Sequence, residues 1–236
     1  MSIAGSSLLM ILTVITTMFL NYIFNVALGW FLPTEDYGVY GVSTSFIMIL
    51  SVFVSSAFPL TVAKFLSEEK DELNRLRIFK SALAGNLLVA LTISVIFLAI
   101  YFSILNFEEK YDPIVYLIVA CVIVTAISAC YRGGLQGTFK FKSLASSNIL
   151  GTLAKLSGIG FVILGLGAFG AVFGVLLGTV IATIYMMLSL RLKFWKAGGF
   201  DSRVFHFAIP MFIGLLSITF VQNIDLLSLK NSDWIR

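Results

Sequence analysis

The sequence predicts an all-α, polytopic integral membrane protein with about seven transmembrane helices and a cytoplasmic N-terminus. Three observations predict it. Hydrophobic residues make up 59% of the chain and charged residues only 12%, and the mean hydropathy is +1.01, far from the balance of a soluble domain. The apolar residues fall into runs near the roughly 20 residues that cross a bilayer as a helix. The basic residues fall almost entirely into every second interval between those runs.

Seven runs emerge in chain order: 6–32, 37–63, 81–105, 114–131, 144–166, 169–190 and 207–229. The first is too long and lacks the basic n-region of a signal peptide, so it reads as a retained helix. Pro59 lies deep in the second run and is expected to kink its cytoplasmic end. The mixed-charge segment 67–79 reads equally as a short amphipathic surface helix or as a solvated loop. Pro113 and Pro210 are placed in the first turns of the fourth and seventh runs, where a missing N–H is harmless. The short intervals 33–36 and 165–168 force antiparallel neighbours. Gly170, Gly174 and Gly178 recur every fourth residue, a spacing that lets helices approach closely. Phe194, Trp195 and Phe200 beside Lys193, Lys196 and Arg203 read as an interfacial linker.

Orientation follows from short-loop charge. Lys64, Lys70, Arg75, Arg77 and Lys80 follow the second run. Arg132, Lys140 and Lys142 follow the fourth, and Arg191, Lys193, Lys196 and Arg203 follow the sixth. The opposite intervals carry Glu35 and Asp36, then Glu108, Glu109, Lys110 and Asp112, then no charge at 165–168. This alternation explains the net charge of +4 without invoking nucleic acid, for which a block of adjacent basic residues is also missing.

Enzymatic and metal motifs are absent from the sequence, and no cofactor is expected. His206, the single histidine, reads as interfacial; Cys121 and Cys130, nine residues apart on one helix, lie on roughly opposite faces and cannot bridge each other. Polar residues within the runs are more informative, because each must find a partner or face a cavity. Thr13, Thr17, Asn21 and Asn25 form a stripe at fourth positions, and Asn148, Gly151, Thr152 and Lys155 form another. Asn86, Thr92 and Ser94 add to them in the third run, and Thr219, Gln222, Asn223 and Asp225 in the seventh. The stripes point to an enclosed, hydrated cavity, although a single Asn or Thr is often only interhelical glue worth about 0.6 kcal/mol. Lys155 and Asp225 are different, since an intramembrane charge costs at least about 2.5 kcal/mol to insert.

Four stretches resemble the polysaccharide-exporter branch of the multidrug/oligosaccharidyl-lipid/polysaccharide (MOP) flippase superfamily, the Wzx-like lipid-linked oligosaccharide flippases. They are ALGWFLPTEDYGVYG, AFPLTVAKFLSEEK, YRGGLQGTFKFKSLASSNI and FAIPMFIGLLSITFVQNIDLLSLK, in family order over nearly the whole chain. Trp30 departs from the pattern, standing where the family frequently has Arg. The resemblance implies a cell-membrane transporter of about twelve to fourteen helices in two lobes. It divides this chain into a six-helix lobe (1–190), a cytoplasmic linker (191–205) and the first helix of a second lobe (206–236). It further implies a polyprenyl-pyrophosphate-linked oligosaccharide as substrate, with membrane lipids around it.

In that frame Lys155 and Arg132 would compensate the pyrophosphate, and Asn21, Asn25, Asn86, Asn148, Thr152 and Gln222 would meet sugar hydroxyls. Asp225 would pair with a cation, Lys155 included. Half-length leaves three arrangements: a truncated gene product, which is favoured, a half assembling with a separately encoded C-terminal half, or a parallel homodimer. Two other functions are compatible with the residues: a cation-coupled multidrug exporter, which wants acidic cavity residues, and a non-transporting fragment.

Overall fold

The computed structural model describes residues 3–105, 112–191 and 199–214. Gln222 and Asp225, the aromatic residues Phe194 and Trp195, the acidic loop at 108–110 and most of the seventh run lie outside the described residues.

The described residues are helical throughout, joined by short turns. Helix α1 (Ile3–Phe31) turns at Leu32–Pro33 into α2 (Thr34–Ser55), with Glu35 and Asp36 in the first turn of α2, where acids suit the helix dipole. Helix α3 (Ala57–Glu68) continues α2 after a break at Ser56, whose φ −94, ψ −82 departs from the helix. Pro59 explains the position of that break. Its ring clashes with the carbonyl of Ser55, four residues earlier, and offers that carbonyl no N–H.

Helix α4 (Glu72–Ile100) runs on through a π turn at Tyr101–Leu105. The segment 67–79 is therefore neither a surface helix nor a loop. It comprises the end of α3, the turn 69–71 and the first two turns of α4. The Asp71 side chain caps α4 by accepting from Asn74 N–H at 3.1 Å, and Arg75 Nη2 donates to the α3-terminal Leu66 carbonyl at 3.1 Å. The buried side chains of Leu76, Ile78 and Phe79 hold these turns in the core.

Helix α5 (Asp112–Gly137) has Pro113 in its first turn, as the sequence predicts. Helices α6 (Phe141–Lys155) and α7 (Ser157–Phe161) and a π turn at Val162–Leu166 lead into α8 (Gly167–Leu190). Gly165 (φ 88) and Gly167 (φ 50) take left-handed conformations there and fold the chain back on itself. A final helix, α9, begins at 202 and is described to 214. Pro210 accordingly lies beyond the first turn of its helix, contrary to the expectation from sequence, because α9 starts inside the stretch read as linker.

Among the described residues five helical stretches are long and apolar enough to cross a membrane, and the last of them, Phe141–Leu190, is the folded-back pair α6–α7 and α8. Buried side chains form a large cluster toward each end of the bundle, with a smaller one of Val54, Ala90, Val122 and Ala126 between them. One cluster contains Phe24, Leu28, Tyr40, Phe97 and Tyr101 near the acidic turns. The other contains Leu66, Phe79, Tyr131, Leu144 and Met186 near the basic ones. Outside, Leu12, Ile15, Phe19, Leu88, Val95 and Leu188 are exposed, as expected of side chains facing hydrocarbon. Most hydroxyls of the polar stripes bond back to their own helix, Thr13 to Leu9 O and Thr17 to Thr13 O among them.

Candidate functional site

The hairpin of α6 and α8 positions the site. Gly174 packs on Gly158 and Gly178 on Gly151; a Cβ at Gly174 would stand 2.5 Å from Gly158 Cα, and one at Gly178 would stand 3.0 Å from Lys155 Cβ. The glycine repeat of α8 therefore admits the α6 backbone at contact distance and sets where Lys155 leaves it. Lys155 occupies the last turn of α6, where a cation suits the carbonyl end of the helix.

From there its ammonium reaches across to α1. Lys155 Nζ donates to Asn21 Oδ1 at 2.9 Å and lies 4.5 Å from the centroid of the Phe24 ring, a cation–π contact on a fully buried ring. Asn21 is itself oriented, because its Nδ2 donates to Thr17 O at 2.8 Å, which leaves Oδ1 toward the lysine. These groups line a cleft of about 350 Å³ between α1, α5, α6 and α8. Thr17 and Asn21 line it from α1, Ser128 and Arg132 from α5, Asn148, Thr152 and Lys155 from α6, and Thr179 from α8. No carboxylate is among these described lining residues. The cleft thus presents two cations and a set of amides and hydroxyls, the chemistry that receives an anion carrying polar substituents.

Over residues 3–231 the sequence matches the family described as polysaccharide biosynthesis protein. The chain belongs to the polysaccharide biosynthesis protein family. Within curated proteins, this family member is 24% identical to an uncharacterized membrane protein of Methanocaldococcus jannaschii over 259 aligned positions, covering 99% of this chain and 61% of that protein. Among solved structures it resembles a MOP superfamily transporter from Pyrococcus furiosus, described for the reverse polarity of its binding pocket. The TM-score is 0.61 at 14% identity, over 92% of this chain and 54% of the other. The chain therefore spans a little over half the length of the proteins it matches, and it shares the MOP transporter fold over that part.

In this family member the site residues singled out by sequence that lie among the described residues separate into two groups. Lys155, Asn21, Asn148, Thr152 and Arg132 converge on the cleft. Asn25 and Asn86 do not line it. Asn25 is exposed on α1 and donates to Asn21 O at 2.8 Å. Asn86 is fully buried, and its Nδ2 donates to Val54 O at 2.9 Å and Ala126 O at 2.8 Å. Val54 precedes the break at Ser56, so Asn86 serves a carbonyl near the kink. Sequence reasoning missed Phe24, Ser128 and Thr179. Phe24 is one of 22 phenylalanines, and nothing in an apolar run distinguishes a ring that faces a lysine from one that faces lipid.

Proposed function

We propose that this chain supplies the first lobe of a flippase that moves a polyprenyl-pyrophosphate-linked oligosaccharide across the cell membrane by alternating access. In this reading residues 1–190 form the first lobe, and α9, which begins at 202 rather than after a linker ending at 205, opens the second. A pyrophosphate headgroup does not cross hydrocarbon unaided. The observation that carries the reading is Lys155, an intramembrane cation held by Asn21 and Phe24 in a cleft it shares with Arg132. Asn148, Thr152 and Ser128 supply hydrogen bonds suited to sugar hydroxyls, while the polyprenyl tail remains in the bilayer. Family membership and the shared fold support transport rather than enzymatic catalysis. Cation-coupled drug export is less well supported, because that chemistry wants carboxylates in the cleft.

The test is translocation of a fluorescent lipid-linked oligosaccharide in proteoliposomes by the full-length transporter carrying this sequence. Lys155→Met is expected to weaken substrate binding about ten- to hundredfold, the worth of a hydrogen bond to a charged group, with Lys155→Arg retaining part of it. Wild-type transport by Lys155→Met would sink the proposal.

A further inference from the structure

A second cavity lies at the cytoplasmic end of the same seam. It has a volume of about 1170 Å³ and is walled by the first turns of α1, the α5–α6 turn and the end of α8. At 1.5 Å of rise per residue, about 9 Å of α1 separates Ile11, at its inner edge, from Thr17 in the polar cleft.

Its lining has three components. Lys140 and Lys142 supply positive charge, and no carboxylate is among the described lining residues. Lys140 Nζ donates to the Ser189 carbonyl at 3.0 Å, which fixes one ammonium against the α8 terminus, while Lys142 is exposed. Ser6, Ser7 and Ser143 bring hydroxyls, and Met10, Ile11 and Phe139 form an apolar wall. Phe139 is 72% exposed and sits at φ 56 in the α5–α6 turn, a conformation a bulky residue seldom adopts. A bare ring there is costly in water and favourable at headgroup depth.

Two ammonium groups with no carboxylate among the described lining residues, hydroxyls and an adjoining apolar wall fit a phosphate that carries a hydrocarbon chain. We propose that this cavity binds the phosphate of an anionic lipid in the cytoplasmic leaflet. Lys140 and Lys142 meet the headgroup, and the chain lies against Met10, Ile11 and Phe139. An ordinary anionic phospholipid and an isoprenyl phosphate share this chemistry. The site depends on the basic turns facing the cytoplasm and not on the transport reading.

Native mass spectrometry of the detergent-purified chain tests it, with phosphatidylglycerol, an isoprenyl phosphate, phosphatidylcholine or inorganic phosphate added in turn. Preferential retention of either anionic lipid over phosphatidylcholine supports the site, and the better retained of the two identifies the source. Lys142→Ala is expected to weaken retention about fivefold, the contribution of one lysine near an anionic surface; Lys142→Arg should preserve it, and Lys70→Ala, an exposed lysine elsewhere on the cytoplasmic side, should not change it. Equal retention of phosphatidylcholine, equal effects of Lys142→Ala and Lys70→Ala, or displacement of the lipid by inorganic phosphate at matched concentration would each overturn it.

Discussion

Asn86 reaches two carbonyls on neighbouring segments with one amide nitrogen, Val54 O beside the α2–α3 break and Ala126 O on α5. Removing that donor takes a buried hydrogen bond from each carbonyl and leaves the space of a fully buried amide empty, so Asn86→Ala is expected to destabilise the fold by about 1–3 kcal/mol, read as earlier unfolding in a detergent–denaturant titration. Asn25→Ala, on an exposed position, is expected to leave that midpoint unchanged. At the start of α9, Asp201 accepts from Arg203 Nη2 at 2.7 Å, and hydrogen bonds from the Arg203 side chain hold the Asp201 carboxyl below the usual carboxylate range. A carboxyl depressed in the folded state contributes stability that is fully present above its unfolded pKa, about 3.9, and lost as pH falls through the lower folded value. Acidification below about pH 4 should therefore lower the melting temperature of the wild-type protein more than that of Asp201→Asn. At this scale the sequence made Lys155 and Asn21 visible as members of polar stripes, because a charge or amide inside an apolar run is conspicuous. Their pairing was not legible, since 134 positions separate them and no local pattern specifies which stripe faces which.

Helix α8 meets α6 through Gly174 and Gly178, and the cost of filling that contact can be measured. Gly178→Val and Gly174→Val each place side-chain atoms where the opposing backbone already stands, with an expected loss of about 1–3 kcal/mol from overpacking. Gly160→Ala meets nothing within 4 Å and should be neutral in the same titration. The close approach also sets Lys155, so the two valine variants should weaken substrate binding although neither side chain carries charge. The Pro59 kink and the Gly165–Gly167 reversal were legible in sequence because each arises from a local property, a missing N–H or a left-handed φ. The start of α4 was not, because Asp71 and Glu72 serve equally as loop residues and as a cap with a favourable first turn. The packing of Leu76, Ile78 and Phe79 against other helices decides between those roles.

Across the whole molecule the basic turns lie at one end of the bundle, and single-cysteine labelling tests which side of the membrane that is. Cysteines at Lys70 and Lys142 should react with an impermeant thiol reagent only from the cytoplasmic side, and one at Glu35 only from outside. The native Cys121 and Cys130, both buried, should contribute little background, and labelling of Lys142→Cys from outside would reverse the orientation. Beyond α8, α9 is held to the rest of the bundle at the end that carries the basic turns. Asp201 N–H donates to Ser81 Oγ at 2.7 Å, Lys64 Nζ stands 4.1 Å from the Phe207 ring centroid, and Phe58 meets Phe205 edge to face. The sequence by itself determined the membrane class, the approximate spans and the expected orientation, because transfer into hydrocarbon is nearly additive along a segment and loop charge acts locally. Only the tertiary structure decided that Lys155 meets Asn21 and Phe24 while Asn86 is withdrawn into the core. Those contacts depend on helix separations of a few ångströms, set by glycines and a proline kink distant in sequence from the groups they bring together.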